Sequence, residues 1–294
     1  MTFSQKVKQE LIKNEYENSC CERAFLYGIC LFAKRFSSTQ ITLQSETKEI
    51  IELSRKLLRK QCNVACKVDA SPNGRSYSIK INNPADCTRI MRVFSHEDGG
   101  SLKINFANFT CDECAKAFLA GVFLACGTVS SPEKDYHMEF SVAYLNLSKS
   151  LVTLFREEDL TPKTTSRKGY NIIYFKDSEA IEACLYKMGA SDAMFEMMNI
   201  EIVKDFRNKA NRTANCETAN IGRTVNASYA HIAAIEKIRD EKGLDFLKED
   251  LRLMAQLRLE NPDASLSELA KLSGLSRSGV NHRLNRILQI SKEL

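Results

Sequence analysis

Two sets of residues in this chain have types and spacings that could do chemistry. One is its cysteines, eleven in 294 residues. Cys111-x-x-Cys114 has half of a metal-site spacing, and Cys20-Cys21 could supply the other half. Against this, structural zinc sites usually show two spaced pairs and often histidine, whereas Cys20 and Cys21 are adjacent. Cys21 and Cys114 also fall at equivalent positions of an internal repeat, where a small buried thiol is the simpler reading. No metal and no cofactor are therefore assigned. Cys114 at a helix start could carry a lowered thiol pKa, but nothing else points to a redox role. The four histidines are scattered. No Ser/His/Asp set and no Gly-rich phosphate loop accompanies them.

The second set is Arg277, Ser278, Asn281 and His282, followed by Arg283, Asn285 and Arg286. Arginine can donate two N–H bonds to guanine O6 and N7, and asparagine can pair with adenine in the same two-point way. Such contacts require these side chains to leave one face of a helix. The flanking sequence supplies that helix. Ser265-Leu-Ser-Glu268 is a capping box opening a short helix. Ser273-Gly274-Leu275 makes a turn, and Ser276 caps a last helix to about 290. Ala270, Gly274 and Val280 have helix-turn-helix spacing: a close crossing, a turn conformation that resists a Cβ, and an inward apolar side chain. At about 100° per residue, Val280, Leu284 and Ile287 face the core, and Ser278, His282, Asn285 and Arg286 face away. Arg277 and Asn281 lie at the edge near the N-terminal end, and Arg283 flanks the apolar stripe. The N-terminal part of such a helix enters the major groove. Arg277, Ser278, Asn281 and His282 are thus expected at base edges, and Arg283 and Arg286 at phosphates, which position without specifying. A ligand-free helical hairpin with a solvated polar face is the competing reading.

Upstream, helices are expected over about 217–242, stopping at Gly243, and about 245–260, with Leu247, Leu251, Met254 and Leu257 at core spacing. Between 199 and 216 the chain is rich in Asn and Arg and poor in strong helix formers. It reads as a linker, or as a hinge whose Arg207 and Arg212, with Arg223 beyond it, touch phosphate or the preceding domain.

Composition narrows the class. Hydrophobic residues are 44% and charged residues 27%, ordinary for a globular chain. No apolar run approaches the ~18 residues of a membrane span, and residues 1–6 show no basic-then-apolar leader. An odd cysteine count without a leader suggests reduced thiols, so a cytoplasmic chain is expected. The net charge of +5 is mild, but 271–292 holds five basic residues and no acidic one, a polyanion-facing distribution.

The N-terminal two thirds is duplicated. Cys21-Glu-Arg-Ala-Phe-Leu-Tyr-Gly-Ile-Cys-Leu31 and Cys114-Ala-Lys-Ala-Phe-Leu-Ala-Gly-Val-Phe-Leu124 match at a 93-residue offset. In each repeat, strand-like, helical and turn segments follow in the same order: 41–45, 47–60, 64–68, 77–81 and 84–94, then 137–143, 147–158, 162–166, 170–175 and 178–188. Thr110-Cys-Asp-Glu113 fits a capping box for the second opening helix. Gly28 and Gly121 cost helix stability unless the two helices touch backbone to backbone across a pseudo-twofold. Leu119–Gly127 resembles the LAGLIDADG homing endonucleases. That resemblance implies paired acidic residues holding divalent metal at each motif's eighth position. Here those positions are Ala33 and Cys126, and neither replaces a hard oxygen ligand. Asp112 and Glu113 lie at the other end of the helix, so no catalytic residue is assigned and no enzyme is expected.

With both halves considered, the chain resembles the WhiA family of bacterial DNA-binding proteins. The segments 20–26, 117–124, 211–220, 255–269 and Ser278-Gly-Val-Asn-His-Arg-Leu284 carry the resemblance. It implies an α+β fold: a duplicated LAGLIDADG-like αββαββα domain followed by an all-α helix-turn-helix domain. The expected partition is 1–100 and 101–198 for the repeats, 199–216 for the linker and 217–294 for the helix-turn-helix domain. The resemblance also implies a nucleoid-associated, non-enzymatic protein of cell division and chromosome segregation, with transcription regulation (sporulation genes in spore-forming relatives). Double-stranded DNA is the expected partner, with a sigma factor, RNA polymerase or a division protein as further candidates and no membrane. The alternative is an interaction protein that recruits a division or segregation partner and uses DNA only for localisation.

Overall fold

The computed structural model describes residues 1–96 and 100–294, which form two compact units, Met1–Val203 and Lys204–Leu294. In the first unit, α1 (Phe3–Ile12) starts in a Thr2/Gln5 capping box and buries Phe3, Val7 and Leu11. The first repeat follows as α2 (Ser19–Leu31), β1 (Arg35–Phe36), β2 (Ile41–Ser45), α3 (Lys48–Cys62), β3 (Asp69–Ala70), β4 (Tyr77–Ile81) and α4 (Pro84–Val93). The second runs α5 (Cys114–Cys126), β5 (Gly127–Val129), β6 (Met138–Val142), α6 (Leu145–Glu157), β7 (Lys163–Arg167), β8 (Tyr170–Phe175) and α7 (Ser178–Met188). Both sheets are antiparallel and share one topology, β1-β2-β4-β3 and β5-β6-β8-β7, which establishes the duplication.

Strand alternation sets each sheet's inner face. Ile41 and Leu43 lie opposite Ile81 and Ile79, and Met138 and Phe140 opposite Phe175 and Ile173; all eight are buried. The outer faces carry polar side chains, including Gln44, Ser78 and Lys80 in the first sheet and Lys163, Thr165 and Arg167 in the second.

At the centre of the unit α2 and α5 touch backbone to backbone. A Cβ on Gly28 would collide with the Phe118 carbonyl oxygen and stand 2.9 Å from the Val122 nitrogen. One on Gly121 would collide with the Phe25 carbonyl oxygen and stand 3.1 Å from the Ile29 nitrogen. The helices run parallel: Cys21 and Cys114 gather at their N-terminal ends, and Ala33 and Cys126 line one cavity at the other.

Three local expectations fail for identifiable reasons. The Thr110–Glu113 capping box does not form. The Cys111 carbonyl accepts the Cys114 N–H in a turn, Glu113 takes the N-cap position with helical backbone, and its carboxylate pairs with Lys116. The strand expected at 64–68 is displaced to Asp69–Ala70, because Asn63 ends α3 in a left-handed conformation (φ 52°) and Val64 is spent closing that helix end. The linker expected at 199–216 is helical, lying wholly within α8 (Ser191–Lys242). A packed start contributes to that helix: the Glu10 carboxylate accepts the Asp192 and Ala193 N–H groups at 2.7 and 3.0 Å, acting as a cap supplied from α1. Residues 205–227 of α8 are all exposed, so within this stretch helix formation rests on propagation from ordered ends.

The second unit comprises the C-terminal part of α8, α9 (Glu249–Glu260), α10 (Leu266–Ser273) and α11 (Arg277–Glu293), around a separate core that includes Ile235, Ile238, Met254, Leu269, Val280, Leu284 and Ile287. Among the described residues no helix is long and apolar enough to cross a membrane.

Replacing Gly121 with alanine should force the α2–α5 backbones apart. The expected loss is about 3 kcal/mol of stability, the upper range of overpacking costs, checked by chemical denaturation of G121A. Gly222→Ala, whose added Cβ meets nothing within 4 Å, should not destabilise.

Candidate nucleic-acid interface

The second unit builds a helix-turn-helix from its capping chemistry upward. Ser265 accepts the Glu268 N–H, and Glu268 accepts the Ser265 N–H at 2.7 Å, fixing the start of α10. Gly274 ends it in a left-handed conformation (φ 66°), and its N–H returns to the Ala270 carbonyl. Ser276 then caps α11 by accepting the Gly279 N–H at 3.1 Å. Leu269, Val280, Leu284 and Ile287 are fully buried, so the rotation of α11 is set by packing.

That rotation places the candidate reading residues. Arg277, Ser278, Asn281, His282, Asn285 and Arg286 are all exposed on α11. Ser278 shares a 3.0 Å hydroxyl contact with Ser276, and Arg286 donates to Gln289 at 3.1 Å, an exposed contact that a stronger acceptor could displace. Arg283 is half-buried. It donates to the Gly279 carbonyl at 3.3 Å and pairs with Asp250 of α9 at 3.4 Å. Arg207, Arg212 and Arg223 are exposed along α8.

The residue that holds this unit together went unrecognised in the sequence. Arg258 is only 2% exposed. One guanidinium nitrogen donates to the Ala264 carbonyl at 2.7 Å and to the Asn261 and Pro262 carbonyls at 3.3 and 3.4 Å. It also reaches the Ser228 hydroxyl of α8, and that hydroxyl itself donates to Pro262. One cation thus gathers the loop that launches α10. Burial pulls the Arg258 pKa below its usual value. Nearby buried His231 is also lowered, by burial first and then by the Arg258 charge. The signal was present: Leu251, Met254, Ala255 and Arg258 are spaced i, i+3, i+4, i+7, placing a charge in core phase. Leu257, expected in the core, is only half-buried.

In the first unit the motif's eighth positions, Ala33 and Cys126, line one cavity of about 410 Å³. Lys34, Gln44, Ser141 and Tyr144 also line it, and no carboxylate does among the described residues. Burial pushes the Cys126 thiol up to about 12, which leaves it neutral. Lys8 of α1, whose helix the sequence reading omitted, sends its ammonium toward this end, 5.8 Å from the Phe123 ring centroid and coupled by charge to Cys126. A divalent cation would meet ammonium groups and a neutral thiol where two carboxylates are needed, so these residues do not fit the metal that the endonuclease resemblance implies.

At the opposite end, the structure brings together the two cysteine pairs that spacing alone had kept apart. Cys20, Cys21, Cys111 and Cys114 converge in one cluster.

Comparison with known proteins follows this geometry. The profile of the WhiA LAGLIDADG-like domain matches residues 115–207, and that of the WhiA C-terminal HTH domain matches residues 210–291. The chain is 35% identical to the "Probable cell division protein WhiA" of Caldicellulosiruptor saccharolyticus, covering 100% of this chain and 96% of that protein. It is also 35% identical to the protein of that name from Clostridium botulinum strain Hall, covering 100% and 99%. The crystal structure of full-length DUF199/WhiA from Thermotoga maritima superimposes with a TM-score of 0.60 at 24% identity, covering 100% and 99% of the two chains. That of an isolated N-terminal LAGLIDADG domain of DUF199/WhiA gives 0.51 at 16% identity, over 64% of this chain and 92% of the other.

Removing the Arg258 charge takes the shared donor from three loop carbonyls. Arg258→Met is expected to cost about 3 kcal/mol, the range for hydrogen bonds to a charged group. Calorimetry of the full chain should show the loss in the transition of the second unit, with that of the first unchanged.

Proposed function

Because the chain belongs to the WhiA family, we propose that it is a non-enzymatic, sequence-specific DNA-binding protein that acts in cell division and chromosome segregation and regulates transcription, including that of sporulation genes in spore-forming hosts. It works in the cytoplasm on the nucleoid, with double-stranded DNA as its partner. The observation that carries this reading is the capped N-terminal half of α11, where Arg277, Ser278, Asn281 and His282 stand exposed on a helix whose opposite side is locked into the core. A recognition helix needs that arrangement: side chains free to meet base edges, on a backbone that cannot rotate away.

In this reading Arg277 and Asn281 supply two-point hydrogen bonds to purines, and Ser278 and His282 complete the base contacts. Arg286 and Asn285, further along the same face, bind the backbone. Arg283 adds a phosphate contact, for which the phosphate competes with Asp250. Arg207, Arg212 and Arg223 of α8 add further phosphate contacts, which raise affinity without specificity. The first unit serves as a platform whose endonuclease chemistry is lost with the carboxylates at 33 and 126. A second reading, recruitment of a division protein, a sigma factor or RNA polymerase, draws on the exposed apolar side chains Phe206, Ile221, Val225 and Tyr229 along α8.

Genome-wide mapping of bound sites with wild type and an R277A/N281A/H282A variant tests the reading. The variant is expected to lose site preference and keep salt-sensitive general binding, because its phosphate contacts remain. An unchanged site map would overturn the assignment of α11 as the reading helix and favour recruitment.

A further inference from the structure

Away from the helix-turn-helix, the tightest cluster of chemistry-bearing side chains lies at the N-terminal ends of α2 and α5. Cys20 and Cys21 stand in the first turn of α2, Cys114 opens α5, and Cys111 sits in the turn before it. The sulfurs of Cys20, Cys21 and Cys114 lie 3.6, 3.4 and 3.5 Å from that of Cys111. All four sulfurs fall within 4.8 Å of one another. A tetrahedral ion with metal–sulfur bonds of about 2.3 Å spaces its four sulfurs about 3.8 Å apart. The cluster therefore has the dimensions of a single-ion cage.

Ordinary core packing explains this less well. Cys111 stands almost equally far from three sulfurs, whereas a disulfide would single out one pair and leave two thiols over. The donor set is soft, with four sulfurs and no oxygen, which selects zinc over magnesium or calcium. Cys21 and Cys114 are buried, and Cys20 and Cys111 are half-buried and give an ion access. The local field also suits the charge. A divalent ion on four thiolates leaves a net negative centre, and it would sit at the N-termini of two helices, where negative charge is stabilised.

We propose that Cys20, Cys21, Cys111 and Cys114 form a structural four-thiolate metal site, with zinc as its ion. Four protein ligands leave no open position, so the ion carries no reaction. Its effect is mechanical: it ties the start of the first repeat's central helix to the segment that launches the second's, at one end of the glycine crossing. The two pairs come from different repeats, which is why their linear spacing lacks the regularity of a zinc ribbon.

The test uses the full chain, purified under reducing conditions without chelator and loaded with zinc. About one zinc per chain is expected after desalting. Cobalt loading should give intense visible bands and thiolate-to-metal charge transfer, the signature of a tetrahedral sulfur site. Cys111→Ser should lose the zinc. Cys216→Ser, exposed and outside the cluster, should keep it. Should C111S fold poorly by circular dichroism, C20S, altered at a half-buried ligand, should fold and show a weakened thiolate band. A zinc-free chain after loading, a cobalt spectrum without thiolate bands, full zinc retention by well-folded C111S or C20S, or a disulfide within the four in the reduced protein would each overturn the proposal.

Discussion

The contact on which the first unit depends is the one between two stretches of backbone. Gly28 and Gly121 let α2 and α5 meet with no side chain between them, and any larger residue would have to move a carbonyl rather than a flexible tip. This contact fixes the pairing of the two repeats and sorts the ends of the helices into two different environments. At the C-terminal ends lies a cavity without carboxylates, bordered by Lys34 and approached by Lys8. At the N-terminal ends the four cysteines converge. The same crossing therefore places both the carboxylate-free cavity and the cysteine cluster. The two ends differ electrostatically: Lys34 and no carboxylate borders the first among the described residues, and helix N-termini favour anions where the thiols gather.

The second unit solves a different problem, holding an exposed polar helix still. Its core is small, and the loop between α9 and α10 turns several carbonyls toward one side chain. Arg258 satisfies three of them at once. A neutral residue of similar volume would fill the space but remove the Ala264 carbonyl's donor, while Pro262 would keep the Ser228 hydroxyl and Asn261 the Ala264 N–H. With that loop fixed, the caps at Ser265 and Ser276 set where α10 and α11 begin, and the buried Val280, Leu284 and Ile287 set the rotation of α11.

Much of this was legible in the amino-acid sequence because periodicity and punctuation carried it. The repeated Phe-Leu-x-Gly pattern and the order of elements behind it correspond to two sheets of identical topology. The glycines predicted close helix contact. The Ser265 box, the Gly274 turn and the inward Val280 stripe all match the structure. What was not legible depended on groups distant in the chain. Nothing local to residues 191–193 says that Glu10 caps α8, and the Asn-rich 199–216 segment reads as a linker because propensity knows nothing of a pinned start. Cys20-Cys21 and Cys111-x-x-Cys114 together lack the two regularly spaced pairs of a zinc site, and only the helix crossing shows that they meet. Arg258 was readable in principle, as a charge in the core phase of α9, yet a charged side chain is easily taken for a surface residue.

The central claim, that α11 reads base edges in the major groove, is tested most directly by methylation interference on a DNA fragment enriched by the full-length chain. Dimethyl sulfate marks guanine N7 in the major groove and adenine N3 in the minor groove, so one footprint separates the two. The account predicts that methylation at one or more guanine N7 positions blocks binding, and that Arg277→Ala removes the penalty at one of them. Interference confined to adenine N3, or a wild-type guanine pattern retained by R277A, would contradict it.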